Sequence, residues 1–182
     1  DYIAGLKSFQ DGMYQIQDIS SMLAGEYTAP KAGDTIVDVC GAPGGKSINA
    51  ALKMSEQGDC GRVIARDLSD YKVALIDENI KRLNITNIQT QVYDALDCDE
   101  SLINKADIVI ADLPCSGLGI IGRKPDIKYN ASPEKLQSLV DLQRDILKVV
   151  SRYVKSGGVL MYSTCTINRA ENEDNADWIC KE

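Results

Sequence analysis

The sequence predicts an α/β protein with a parallel sheet. Short apolar runs suited to buried strands alternate with segments in which apolar residues recur near the helical period, and clusters of glycine, proline, serine or asparagine separate them. Most of the predicted strands lead directly into an aspartate or a cysteine. Functional side chains gather where parallel strands end, so one edge of this sheet should carry the chemistry.

The strand order along the chain begins after an N-terminal lead-in. Five strands are predicted, at Thr35 to Val39, Arg62 to Ala65, Ile88 to Val92, Ala106 to Ala111 and Val159 to Tyr162. The lead-in contains a short helix that begins near Gln17 and ends before Pro30. We therefore divide the chain into a helical lead-in over residues 1–30 and a catalytic domain over residues 31–182.

Capping signals predict where the helices begin and end. A helix should follow the first strand as far as Ser55, and Ser69 is a candidate N-cap for the next one. Ser132, followed by a proline and a glutamate, predicts the start of a helix that runs to about Val154, where Ser156-Gly157-Gly158 would stop it. Asn168, with a glutamate three residues later, predicts a capping box for the last helix.

Composition limits the function. The chain has 182 residues, 44% of them hydrophobic and 26% charged, and no apolar run approaches the roughly 20 residues that span a bilayer. A soluble, cytoplasmic, monomeric protein without a membrane contact is expected. The net charge is 20 minus 27, or −7, so binding to nucleic acid would need a local basic patch or a further domain.

The six cysteines are widely spaced and there is no histidine, which makes a metal site improbable. We expect Cys60, Cys98 and Cys180 to be small buried hydrophobic residues. Any acid, base or nucleophile must be Cys, Asp, Glu, Lys or Tyr.

A glycine-rich segment after the first strand predicts a site for an adenosine-containing ligand. Its residues are Cys40, Gly41, Ala42, Pro43, Gly44, Gly45 and Lys46. The NTPase phosphate loop would need glycine where Cys40 stands, and the dinucleotide fingerprint would need a different glycine spacing. Asp67 ends the second strand 22 residues after Gly45, where a carboxylate can accept both ribose hydroxyls, and Asp94 could lie beside the adenine. S-adenosylmethionine fits, because it carries a carboxylate, a ribose and an adenine but no phosphate.

Two cysteines follow strands in different contexts. Cys115 lies in the segment Asp112-Leu113-Pro114-Cys115-Ser116-Gly117, and Cys165 lies in Tyr162-Ser163-Thr164-Cys165-Thr166. Each thiol is a candidate nucleophile at the end of a strand. Spacing alone leaves open which thiol would attack.

These two segments and the glycine-rich segment together resemble the RsmB/Sun family of RNA cytosine-5 methyltransferases. The resemblance implies a Rossmann-like sheet of order 3-2-1-4-5 with helices on both faces. It also implies that Cys165 is the nucleophile, that Cys115 helps to release the product, and that Asp112 binds the cytosine and borders the cofactor. Lys46 would steady Asp112 or the thiolate by its charge. Because the family has further regions at both ends, we expect this chain to be truncated relative to the full-length protein.

A basic loop after the fourth strand is the candidate RNA contact. Arg123, Lys124 and Lys128 supply charge and Tyr129 supplies a stacking face, and the loop resembles the bacterial branch that modifies 16S ribosomal RNA. Methylation of another RNA such as tRNA, of protein or of a small molecule is the alternative, and an inert RNA-binding module is a third.

Overall fold

One five-stranded parallel sheet forms the centre of the protein in the computed structural model, which describes residues 3–58 and 61–182. The strands are β1 (Thr35–Asp38), β2 (Arg62–Asp67), β3 (Ile88–Val92), β4 (Ala106–Asp112) and β5 (Val154–Ser163). Their order is β3-β2-β1-β4-β5, and every neighbouring pair is parallel. The predicted fold and strand order are confirmed.

The central strands β1 and β4 are apolar in their middle, at residues 36–37 and 108–111, because both faces of the sheet are covered. Ile36 and Val37 of β1 are fully buried, and Val109 in β4 pairs with Val37. Ile36 packs in the cluster on one face, with Met54 of the first long helix, whereas Val37 packs on the other face with Leu147. Side chains alternate across a strand, so adjacent residues fill the two layers.

Seven α-helices are found among the described residues. They are α1 (Lys7–Gln10), α2 (Ile19–Thr28), α3 (Gly45–Glu56), α4 (Asp70–Arg82), α5 (Ile127–Asn130), α6 (Pro133–Val150) and α7 (Glu173–Ile179). Ser69 Oγ accepts the backbone N–H of Lys72, and Ser132 Oγ accepts that of Lys135. These two predicted N-caps are confirmed.

The boundary between α6 and β5 differs from the prediction. The helix ends at Val150, a 3-10 turn covers Ser151–Tyr153, and β5 begins at Val154 instead of Val159. Gly157 and Gly158 therefore lie inside the strand, where the pairing with β4 shifts register, and Gly157 has a φ of +78°. Glycine inside a strand commonly marks a bulge, which explains why the sequence pattern resembled a turn.

The start of the last helix also differs. Asn168 Oδ1 accepts the backbone N–H of Ala170 and caps the 3-10 turn Arg169–Glu171, whereas α7 begins at Glu173. The Glu171 carboxylate does not return to the Asn168 backbone, because it accepts hydrogen bonds from the loop after β4 and from α6. The predicted capping box is therefore wrong.

Two of the three cysteines expected in the core are not fully buried. Cys180 is exposed directly after the end of α7, and Cys98 is half-buried in the connection after β3. Cys60 lies outside the described residues.

The N-terminal segment packs on α4. Arg82 donates to the carbonyls of Phe9 and Tyr14, both at 3.0 Å, and its guanidinium lies 3.9 Å from the centre of the Phe9 ring. Gly12 has a φ of +74°, and a Cβ atom there would lie 1.9 Å from the Arg82 carbonyl oxygen. Only glycine allows this approach. In residues 3–58 and 61–182, no helix has both the length and the apolar character needed to cross a membrane.

Candidate active site

The glycine-rich segment forms a tight turn between β1 and α3. Gly44 has a φ of +104°, and a Cβ atom would lie 3.2 Å from Ile48 and from Ile76. Its N–H donates to the Gly41 carbonyl at 2.6 Å, which closes the turn immediately before the N-terminus of α3. The glycine is required because an L side chain would be strained and crowded there.

A cavity of about 210 Å³ lies beside this turn. Its walls include Cys40, Gly41, Ala42, Pro43, Gly45, Lys46, Asp112, Asp38 and residues 15–18. Two buried polar atoms in its walls have no hydrogen-bond partner among the described residues, the Asp38 Oδ1 acceptor and the Gln17 Nε2 donor. Buried polar groups are normally paired, so this cavity suits a ligand that carries both a cation and an acceptor.

Asp38 is buried with its other oxygen engaged. Ser47 Oγ donates to Asp38 Oδ2 at 2.6 Å. Burial raises the pKa of Asp38 to about 7 against the opposing hydrogen bond from Ser47, and the charge of Asp112 adds to the rise. A cationic group placed against Asp38 would restore its ionised form.

Asp67 is hydrogen-bonded to the turn, but neither Asp67 nor Asp94 lines the cavity. Asp67 is 3% exposed, its Oδ2 accepts the Ala42 N–H at 3.0 Å, and its Oδ1 lies 2.9 Å from the Lys72 ammonium. Asp94 accepts the Leu96 N–H in the loop after β3 and is not in the wall of this cavity. Asp67 therefore holds the turn against the end of β2.

Lys46, on the first turn of α3, forms an ion pair with Asp112 at the end of β4. Lys46 Nζ lies 2.6 Å from Asp112 Oδ2 and also donates to Ser21 Oγ at 3.2 Å. Ser163, at the end of β5, donates to Asp112 Oδ1 at 2.6 Å. The ends of β4 and β5 and the start of α3 thus fix the orientation of the Asp112 carboxylate.

A second cavity, of about 650 Å³, lies on the other side of this ion pair. Lys46, Asp112, Asp18 and Ser21 line both cavities. Cys165 lines the larger one, whereas Cys115 does not. The two cavities therefore adjoin at Lys46 and Asp112, with an exposed thiol in the larger.

The two predicted cysteines are in contact. Their sulfur atoms are 3.2 Å apart, and the Cys165 N–H donates to Cys115 Sγ at 3.2 Å. Cys165 is exposed and Cys115 is half-buried. Burial, reinforced by the hydrogen bond with Cys165, raises the pKa of Cys115 to about 12. Cys115 is therefore a neutral thiol at physiological pH.

Of the four predicted RNA contacts, only Arg123 lines the larger cavity. Its guanidinium lies 2.6 Å from the Asp18 carboxylate, which caps α2. Lys128 lies 4.8 Å from the centre of the neighbouring Tyr129 ring, and Tyr129 is 80% exposed. Lys124 is also exposed. These three residues lie on the surface and do not line the cavity.

Comparison with known proteins identifies the family. The model of the family described as 16S rRNA methyltransferase RsmB/F matches residues 26–182. The chain belongs to the RsmB/F family. The family prediction made from the three motifs is thereby confirmed.

Relatives of this RsmB/F chain share its sequence over nearly its whole length. The "Probable ribosomal RNA small subunit methyltransferase B" of Bacillus subtilis is 43% identical over 94% of this chain and 38% of its own length. The "Ribosomal RNA small subunit methyltransferase F" of Escherichia coli O157:H7 is 35% identical over 92% of this chain and 35% of its own. The chain thus spans little more than a third of these curated relatives.

Two similar structures come from Pyrococcus horikoshii. NSun6, solved with SFG, has a TM-score of 0.86 at 31% identity, covering 98% of this chain and 44% of its own. A methyltransferase homolog protein has a TM-score of 0.85 at 28% identity, covering 100% of this chain and 56% of its own.

Sequence reasoning missed several residues of this RsmB/F site. They are Gln17, Asp18, Asp38 and Ser163. Asp38 ends β1 two residues before the glycine-rich segment and Ser163 ends β5 inside the Cys165 segment, so their position was a usable signal. Gln17 and Asp18 directly precede α2; their segment resembles the family's pattern, but only the fold shows that they line the cavities. Among the described residues there is no cluster of three or more side chains suited to a metal.

Proposed function

We propose that the protein transfers a methyl group from S-adenosylmethionine to carbon 5 of a cytosine in RNA, and that this RNA is the 16S ribosomal RNA in the cytoplasm. One observation carries the proposal. An exposed thiol, Cys165, and the Lys46–Asp112 ion pair line one cavity, and the same ion pair lines an adjoining smaller cavity with unpaired polar atoms. Such an arrangement suits a nucleobase on one side and a methyl donor on the other.

The residues of the smaller cavity fit S-adenosylmethionine. Asp38 Oδ1 is an unpaired acceptor for an ammonium group, and Gln17 Nε2 is an unpaired donor for a carboxylate. Residues 40–46 would hold the amino-acid end at the helix N-terminus, Asp67 the ribose and Asp94 the adenine edge. The ligand in the NSun6 structure, SFG, is an analogue of S-adenosylmethionine. When bound, the cofactor supplies an electrophilic methyl group on a sulfonium.

Cys165 is the nucleophile in this proposal. Its thiolate adds to carbon 6 of the cytosine, which moves electron density to carbon 5, the atom that accepts the methyl group. The carbon 5 proton then leaves to a base, the double bond re-forms and the bond from carbon 6 to sulfur breaks. Cys165 rather than Cys115 takes this role because only Cys165 lines the larger cavity.

Asp112 orients the base. Ser163 and Lys46 hold its two carboxylate oxygens, and the side chain is 37% exposed toward the cavities. We propose that it accepts a hydrogen bond from the cytosine N4 amine and shares a proton with N3 during the attack on carbon 6. Lys46 keeps this carboxylate in place and compensates its charge.

The RNA partner requires a local positive surface on a chain whose net charge is −7. Arg123 at the cavity wall, with Lys124, Lys128 and Tyr129 outside it, supplies charge and one stacking face. The target base must leave its stack to reach Cys165, which costs a few kcal/mol unless it lies in a loop.

The test uses the full-length protein with tritiated S-adenosylmethionine and 16S ribosomal RNA. Wild type should transfer label and Cys165→Ser should not, whereas Cys115→Ala should leave RNA bound as a denaturant-stable adduct. The reverse pattern would exchange the two cysteine roles. Cys180→Ser, at an exposed cysteine outside both cavities, is the matched control and should be fully active.

Bisulfite sequencing of ribosomal RNA from cells with and without the gene identifies the substrate. We expect one or more 5-methylcytosines in 16S RNA to disappear from the deletion strain. Unchanged ribosomal methylation together with a lost site in tRNA would contradict the ribosomal assignment and leave the chemistry intact.

A further inference from the structure

The backbone on both sides of Cys115 is held by two fully buried polar side chains. Gln143 of α6 donates from Nε2 to the Pro114 carbonyl at 2.8 Å, and Glu171 Oε2 accepts the Ser116 N–H at 2.8 Å. Both side chains have 0% exposure. One bond precedes Cys115 by one residue and the other follows it by one residue, so together they fix the position of its Cα atom.

Gln143 and Glu171 belong to one hydrogen-bonded cluster. Gln143 Nε2 also donates to Glu171 Oε2 at 3.1 Å, and Gln143 Oε1 accepts from Asn175 Nδ2 at 2.9 Å. The Tyr162 hydroxyl donates to the Glu171 carbonyl at 2.5 Å. Asn168 Nδ2 donates to Glu171 Oε1 at 3.0 Å. A satisfied network of this kind rigidifies the elements that it joins.

The Glu171 carboxylate carries a buried charge, and no ion pair found in the described part of the chain includes it. Burial opposes ionisation, but hydrogen bonds from Ser116, Asn168 and Gln143 hold the pKa of Glu171 below its ordinary value. Burying a carboxylate costs free energy unless both of its oxygens accept hydrogen bonds. Apolar residues in the same place would avoid this cost, so the presence of Glu171 argues for a role at the cysteines.

The same cluster ties Cys115 to Cys165. Ser116 Oγ lies 2.7 Å from Thr166 Oγ1, and each of these residues directly follows one of the two cysteines. The Cys165 N–H donates to Cys115 Sγ, and the sulfur atoms are 3.2 Å apart. The loops after β4 and β5 therefore form one unit.

We propose that Gln143 and Glu171 are positioning residues that hold the Cys115 S–H against Cys165 Sγ, where it stabilises the thiolate of Cys165 as the methylated base is released. The proposal rests on the proposed function. In the release step, the carbon 5 proton passes to a base such as water. The electron pair of the broken C–H bond re-forms the double bond between carbons 5 and 6. The pair of electrons from the bond between carbon 6 and sulfur leaves on Cys165, and Cys115 donates a hydrogen bond to it.

The ionisation state of Cys115 supports this role. Its raised pKa, about 12, keeps the thiol protonated and able to donate. A thiolate at Cys115 would repel the charge that develops on Cys165 instead.

The experiment compares Glu171→Gln and Gln143→Met in the full-length protein with wild type and Cys115→Ala. Single-turnover methyl transfer should stay within about threefold of wild type, because attack and transfer precede release. Steady-state turnover should fall about tenfold or more, as expected for losing hydrogen bonds to a charged group, and denaturant-stable RNA adduct should accumulate. Glu173→Gln removes an exposed carboxylate two residues away and should change neither rate.

Two results would overturn the proposal. One is an equal fall of single-turnover and steady-state rates without adduct, which would mean that the cluster only supports the fold. The other is normal turnover in both variants. If Glu171→Gln does not fold, Ser116→Ala keeps the backbone bond to Glu171, removes the hydroxyl contacts with Thr166 and Glu171, and should still accumulate adduct. A wild-type protein that transfers no methyl group would instead refute the proposed function.

Discussion

Lys46 and Asp112 meet at 2.6 Å between the two cavities of the site. The lysine side chain is 12% exposed and the aspartate 37%. Lys46 belongs to the helix that follows the glycine-rich turn, and Asp112 belongs to the strand that precedes Cys115. One ion pair therefore links the proposed cofactor loop to the proposed base-binding residue.

Lys46→Gln should reduce methyl transfer by about 10- to 100-fold, because a hydrogen bond to a charged group contributes about 1.5–3 kcal/mol and the Asp112 charge would be left uncompensated. Single-turnover rates with labelled S-adenosylmethionine measure it. Lys53→Gln is the matched control, since Lys53 lies on the same helix and pairs with Glu26 at 2.5 Å outside both cavities. Equal losses in the two variants would contradict a role specific to Lys46.

Affinity for S-adenosylmethionine should increase as the pH rises from about 6 to 7.5, a range below the α-amino pKa of about 7.7–8.0. Burial, opposed by Ser47 and Lys46 and reinforced by Asp112, raises the pKa of Asp38 to about 7, so the carboxylate that attracts the ammonium appears over this range. Calorimetric titration of wild type and Asp38→Asn measures it.

Asp38→Asn should bind the cofactor weakly and show no such slope. Asp70→Asn, at an exposed carboxylate, should keep the wild-type slope. An affinity of wild type that does not change with pH would show that Asp38 does not contact the ammonium.

The Asp38 carboxyl also lowers the free energy of unfolding of the unliganded protein as pH rises, because between about pH 4 and 7 the folded state binds a proton that the unfolded state has released.

Asp18→Asn should strengthen RNA binding, because it frees the Arg123 guanidinium to contact a phosphate. The slope of log affinity against log salt concentration should steepen by up to about one, since one more counterion is released. Asparagine remains a good N-cap, so α2 keeps its first turn. Filter binding at several salt concentrations measures the effect. Asp174→Asn, which frees Arg169 from another exposed ion pair, is the control and should bind as wild type does. Weaker binding by Asp18→Asn would show that the pair itself is required.

Tyr153→Phe should lower the free energy of unfolding by about 1–3 kcal/mol, because it leaves a buried donor unpaired. The Tyr153 hydroxyl accepts the Asp99 N–H at 2.9 Å and donates to the Asp97 carbonyl at 3.2 Å, in the connection after β3. Denaturant unfolding measures the change, and Tyr71→Phe at a residue 74% exposed should have almost no effect. Equal stability of all three proteins would contradict this account.

Periodicity and capping determined the layers of the fold because they are local signals. Strands β1 to β4 lie within two residues of their predicted bounds, and the caps at Ser69 and Ser132 were found where expected. The bulge in β5 was not, because glycines that end a helix and glycines that bend a strand have the same local pattern. The capping box predicted at Asn168 is absent because the Glu171 carboxylate accepts hydrogen bonds from Ser116 and Gln143, which are distant in sequence.

The family, the parallel sheet and the two candidate cysteines could be predicted from local patterns, because each depends on residues close together along the chain. Three other features of the site required the folded chain. They are the pairing of Lys46 with Asp112, the exposure of Cys165 in the larger cavity beside a half-buried Cys115, and the hydrogen bonds of Gln143 and Glu171 on either side of Cys115. These contacts join residues 29 to 66 positions apart. Sheet order and helix packing bring them together, and no local spacing encodes that approach.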